Sequence, residues 1–140
     1  MDNKQAELTA FCLKNIKQQN LKEAVKACIE LNTTYPNNFE GWRLAGILHK
    51  NFNKPNAGLI STSRALELKP NDPEILIQQF NFLNQLERVD DSKKILSTLA
   101  SLKVTESDVN SQIAMLFSSE EMHYEAIKKY KAAIMGDPNN

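Results

Sequence analysis

The sequence predicts an all-α chain built as a stack of helical hairpins, an α-solenoid. Three observations predict it. Prolines recur on a fixed beat, with Pro36 and Pro70 standing 34 residues apart and Pro138 twice that distance beyond Pro70. Small residues keep the same interval independently, at Ala24, Gly58, Ser92 and Ala126. Between these markers each unit carries two amphipathic stretches with helical periodicity. A period of this length with turn signals at its end is the mark of helix-turn-helix arrays. Small residues suit the places where antiparallel helices cross, because a large side chain would push the backbones apart.

The beat divides the chain into repeats 5–38, 39–72, 73–106 and 107–140, which gives eight helices in antiparallel pairs and one domain over 1–140. Repeat one places Leu8 and Phe11 on its first helix, Ala24 at the crossing and Pro36 at the exit. Repeat two is the clearest. Trp42, Ala45, Gly46 and His49 fall at i, i+3, i+4 and i+7 on one helical face. The break Asn51-Phe52-Asn53-Lys54-Pro55 turns the chain, and Pro55 suits the first turn of the helix that runs from Ala57 to Leu68. Lys69-Pro70-Asn71-Asp72-Pro73 ends that helix and starts the next, since a residue before proline avoids the helical region. Repeat three keeps the spacing with other letters: Leu76, Phe80, Ser92, Leu96 and Leu99, with Val104 where a proline is expected. Repeat four offers Ala126, Tyr130, Ala133 and Pro138.

With these residues placed, residues 5–140 resemble the tetratricopeptide repeat (TPR), whose pattern sets Trp, Leu-Gly, Tyr, Ala, Phe, Ala and Pro at fixed positions. Trp42, Ala45-Gly46, Gly58, Ala65 and Pro70 occupy those places in repeat two. The resemblance implies a right-handed α-solenoid of four TPR-type repeats that binds a protein or peptide partner. It also implies that the first helix of each repeat lines a concave groove. The groove residues would then be Leu13, Arg43, Ile47, Lys50, Ile77, Asn81, Asn84 and Met115, an apolar stripe with amides and two cations. Apolar contacts would supply affinity and amides could grip a peptide backbone. Members that hold acidic chaperone tails use Lys, Asn and Arg at set places. Here those places hold Thr9, Leu13, Leu44, Glu74 and Gln78, or one repeat later Arg43, Ile47, Gln78, Asp108 and Gln112, and neither set makes a two-carboxylate clamp. The alternative reading is an N-terminal interaction or dimerisation module of a larger bacterial enzyme, such as a TPR-containing sulfotransferase.

Composition excludes other classes. Of the 140 residues 41% are hydrophobic and 24% charged, which are globular values. Lys+Arg and Asp+Glu balance at 17 each, so no net field draws the chain to nucleic acid or an anionic membrane. No apolar run approaches the roughly 20 residues of a membrane helix. Met1-Asp2-Asn3-Lys4-Gln5 lacks the order of a secretory signal, so a cytoplasmic location is expected. Cys12 and Cys28 lack a metal or disulfide-framework spacing and read as reduced, buried core thiols. His49 sits at a core place, and His123 with Glu120-Glu121 reads as helix-end charge rather than a metal set. No phosphate-cradling loop and no catalytic set can be assembled, so the expectation is a non-enzyme with no cofactor and no metal.

The last helix, Tyr124 to Met135, carries Ile127, Tyr130 and Ile134 on one stripe. In a solenoid that stripe seats the next hairpin. The expectation is therefore a fragment of a longer protein, or self-association through this helix.

Overall fold

The computed structural model describes residues 2–104 and 107–119. Over them the chain forms α1 Asn3–Lys17, α2 Leu21–Thr34, α3 Phe39–Asn51, α4 Pro55–Leu68, α5 Pro73–Gln85, α6 Val89–Ser101 and α7 Ser107–Ser119. The described residues contain no strand. Helices α3, α5 and α7 begin at the first residues expected for repeats two, three and four, and α2, α4 and α6 also start 34 residues apart.

Helix starts alternate in kind. The Asp2 carboxylate accepts from the Gln5 amide at 2.8 Å, the Asn38 amide oxygen from Glu40 N at 2.9 Å and the Asp72 carboxylate from Ile75 N at 3.2 Å. Each satisfies one of the first-turn N–H groups that a helix leaves unpaired. The second helices α2, α4 and α6 start at Asn20, Lys54 and Arg88 with no side-chain cap. They are launched instead by a repeated backbone turn. Gln19, Asn53 and Glu87 adopt positive φ of 63°, 54° and 58°. The next amide in each case reaches five residues back: Asn20 N to Asn15 O at 2.8 Å, Lys54 N to His49 O at 2.8 Å and Arg88 N to Leu83 O at 2.9 Å. This is the Schellman closure, which pairs carbonyls that a helix end would leave orphaned. Glycine is its usual occupant, and here none of the three is glycine.

The chain divides into two compact units, Met1–Pro70 and Asn71–Asn140. In the first, α1 packs on α2, α3 on α4, and α3 on both α1 and α2. Its core joins Cys12, Ile16, Ala24, Ala27, Cys28, Leu44, Ala45 and Leu48. Close approach is visible where Cys12 Sγ meets Ala24 O at 3.5 Å and where α3 meets α2 at Gly41. A side chain at Gly41 would collide with Asn32 and crowd Leu31, and Asn32 Nδ2 donates to Gly41 O at 3.1 Å.

In the second unit α5, α6 and α7 pack pairwise. Its interior holds Phe80, Phe82, Leu96, Leu99, Ile113 and Ala114. Buried Asn110 donates to Val104 O at 2.7 Å. Trp42 does the same two junctions earlier, in the first unit, its indole donating to Pro36 O at 2.7 Å. Both donors stand at one repeat place, six residues after the carbonyl they hold. The small markers Ala24, Gly58 and Ser92 are buried as expected. Ala126 and Pro138 lie outside the described residues.

Candidate functional site

In the first unit, the expected groove residues come from two helices in mutual contact, α1 and α3. Leu13 and Ile47 are half-buried and packed against the core, so each offers only part of its surface outward. Arg43 is held along its own helix, with Nε at 3.0 Å and Nη2 at 2.8 Å from Glu40 Oε2. Lys50 is exposed in the last turn of α3. In the second unit Asn81 is half-buried, Asn84 is exposed and Met115 is 62% exposed. Ile77 is buried, which makes it a packing residue with little surface for a ligand.

The first unit also contains a cleft of about 480 Å³ that the sequence did not point to. Its walls are Val25 and Ile29 of α2, Trp42, His49 and Phe52 along α3 and its end, and Lys54 at the start of α4. Its floor is the core itself, at Cys28, Ala45 and Leu48. Ile29 and Phe52 are 62% and 46% exposed, large apolar side chains that hairpin packing leaves in water. Trp42 is fixed in the wall by its bond to Pro36 O. Partial burial, and secondarily the Lys54 charge, hold the His49 imidazole below the usual histidine range, so it is neutral at pH 7.

No family model matches the chain, and no curated protein matches it by sequence. Solved structures do. A crystal structure of MamA superposes with a TM-score of 0.71 at 13% identity, covering 94% of this chain and 77% of that one. The TPR2B domain of yeast Sti1, in its pHsp70 complex, gives 0.66 at 14% identity over 96% and 98% of the two chains. A Thermobaculum terrenum O-GlcNAc transferase mutant gives 0.70 at 18% identity, over 81% of this chain and 22% of that one. The fold is that of the tetratricopeptide repeat.

Among the described residues of this tetratricopeptide fold the chemistry-bearing side chains are packed away or scattered. Cys12 and Cys28 are free, buried and in direct interaction across the α1–α2 hairpin. The bond with Cys12, then burial, pushes the Cys28 thiol up, so it stays protonated and is a poor nucleophile. Among the described residues no three His, Cys, Asp or Glu side chains gather in a metal-binding group. No described helix is long and apolar enough to cross a membrane. His123, Glu120-Glu121 and the stripe of Ile127, Tyr130 and Ile134 lie outside the described residues.

The cleft escaped the sequence because it takes residues from three helices. Helical periodicity sorts residues within one helix and does not report which faces of neighbouring helices meet. A partial signal exists. Val25 and Ile29 stand at i, i+4 on α2, one step around from the core pair Ala24 and Cys28.

Proposed function

We propose that this chain is a protein-interaction scaffold that holds a peptide or partner protein and performs no catalysis itself. What supports this reading is the direct packing of α1 on α3, the two helices that carry Leu13, Arg43, Ile47 and Lys50 at recurring repeat places. There Leu13 and Ile47 offer an apolar strip, flanked by the cations Arg43 and Lys50. On the second unit Asn81, Asn84 and Met115 occupy the matching places, and amides beside an apolar thioether suit a peptide backbone and its side chains. The proposal includes a four-repeat, eight-helix organisation over 1–140, of which seven helices fall on described residues.

The test is a pair of variants. Arg43→Glu and Lys50→Glu are expected to weaken capture of a partner from native lysate. Lys50→Glu changes stability within about 0.5 kcal/mol, the usual range for exposed positions. Arg43→Glu, at its half-buried place, also loses the Glu40 ion pair, so circular dichroism must verify that it is folded. A partner held equally by wild type and by both variants uses another surface. The alternative, an interaction module joined to a catalytic domain, has a parallel in the glycosyltransferase match, where the similarity covers 22% of that chain. The sequence of the full-length protein separates the two.

A further inference from the structure

We propose that the cleft between α2, α3 and the start of α4 is a binding site for a small amphiphilic anion, an apolar body with one carboxylate-like end. Its volume of about 480 Å³ falls in the range of small-molecule sites, roughly 300–1,000 Å³. Its walls are those such a ligand needs. Trp42 and Phe52 present aromatic surface, Val25 and Ile29 aliphatic surface, and the core closes the floor. Left open, Ile29 and Phe52 are exposed apolar groups lining one concavity, an arrangement that marks a binding site more than a plain surface.

Charge sets the sign of the ligand. The cleft has one ionic lining residue, Lys54, and no acidic one. Lys54 stands at the start of α4 and is exposed, so its ammonium can meet a carboxylate at the mouth while the apolar body lies on Trp42. His49 and the hydroxyl of Ser61 add polar lining without negative charge. A cationic amphiphile would face Lys54 with nothing to offset it. None of these residues belongs to the α1–α3 face, so this site stands whether or not the partner surface proposed above is right.

Trp42 is the single tryptophan of the chain and lines the cleft, so its emission reports occupancy directly. The full chain is titrated with sodium decanoate, decan-1-ol and decyltrimethylammonium, all transparent where tryptophan is excited and all kept below micelle formation. Decanoate is expected to shift Trp42 emission saturably with a one-to-one endpoint, and the cation to bind about tenfold more weakly or worse. Lys54→Glu is expected to weaken decanoate about tenfold and leave decan-1-ol unchanged, and Phe52→Ala to weaken both. Lys14→Glu makes the same charge change away from the cleft and is expected to change neither; circular dichroism verifies that each variant is folded. Four results overturn the proposal. They are no saturable decanoate signal, equal binding of the cation, equal loss in Lys14→Glu and Lys54→Glu, or a short acidic aromatic peptide displacing decanoate at lower concentration, which would make the cleft a peptide seat.

Discussion

Hairpin two, α3 with α4, and hairpin three, α5 with α6, occupy the same places in the repeat and fill them oppositely. Hairpin two buries Gly46, Thr62 and Ala65. The residues 34 further on are Phe80, Leu96 and Leu99, also buried. One hairpin closes with small side chains and the other with large ones, yet both share the same start points, the same turn hydrogen bonds and a small residue at the crossing, Gly58 or Ser92. Spacing and one small residue define the hairpin, and the volume elsewhere is adjusted locally. Interiors are close-packed, so each solution is tuned to its own neighbours and the two cannot be exchanged piecemeal.

Swapping the eighth place between hairpins is the strongest way to break this comparison. Phe80→Ala, which leaves a cavity, is expected to cost about 3–5 kcal/mol. Gly46→Phe overpacks and is expected to cost about 1–3 kcal/mol or more. Urea unfolding monitored by circular dichroism checks both. Small losses from either change would mean that the hairpins are loosely packed and interchangeable.

The junctions sharpen it next. Asn110 and Trp42 both hold the carbonyl six residues back, and Leu76 at the same place in repeat three has no donor to offer. The Asn110 bond is buried and the Trp42 bond is exposed. Asn110→Leu strands a buried carbonyl and is expected to cost about 1–3 kcal/mol. Trp42→Phe returns its carbonyl to water, so its share of the loss from the missing bond is smaller, about 0.5–1.5 kcal/mol. The same unfolding experiment ranks them, and the reverse order would show that the junctions are not held by these bonds.

The turns offer a gain. A non-glycine residue in the left-handed region costs about 1–2 kcal/mol, and glycine returns about half of the relief as chain entropy. Glu87→Gly is therefore expected to stabilise by about 0.5–1 kcal/mol, with Gln19→Gly similar. A loss on both would place the determinant of the turn in the side chains.

The smallest effect is in pH. The folded-state pKa of His49 is lowered, so folding favours its neutral form. Its contribution is fully present above the unfolded value of about 6.5 and declines as pH falls through that value toward the folded one. Stability measured from pH 7.5 to 5 is expected to fall more steeply in wild type than in His49→Gln. Parallel curves would mean that burial does not perturb this imidazole.

What the sequence made legible follows the same division. The repeat frame was readable because prolines, small residues and apolar stripes carry it redundantly, so α3, α5 and α7 start where expected despite the altered letters of repeat three. The turn at Asn53 was legible in the Asn51–Pro55 break, but the closure that Gln19, Asn53 and Glu87 share was not, because its signature is a backbone angle and hydrogen bonds rather than glycine. Cys12 and Cys28 were read as separate core residues, but the hairpin brings the two thiols together. Ile77 was assigned outward by its repeat place and is buried instead, because repeat position fixes direction on a helix but not what packs over it. The Ile29–Trp42–Phe52 cleft needed the α2–α3 contact, which no single-helix pattern contains.

The central claim is that the α1–α3 face holds a partner. Site-specific photo-crosslinking tests it most directly, with benzoylphenylalanine placed at Lys50 on that face and, separately, at exposed Lys26 on α2. A partner-sized adduct from Lys50 that Arg43→Glu diminishes, with little or none from Lys26, is the result expected. Adducts from Lys26 but not Lys50, or a Lys50 adduct indifferent to Arg43→Glu, would contradict it.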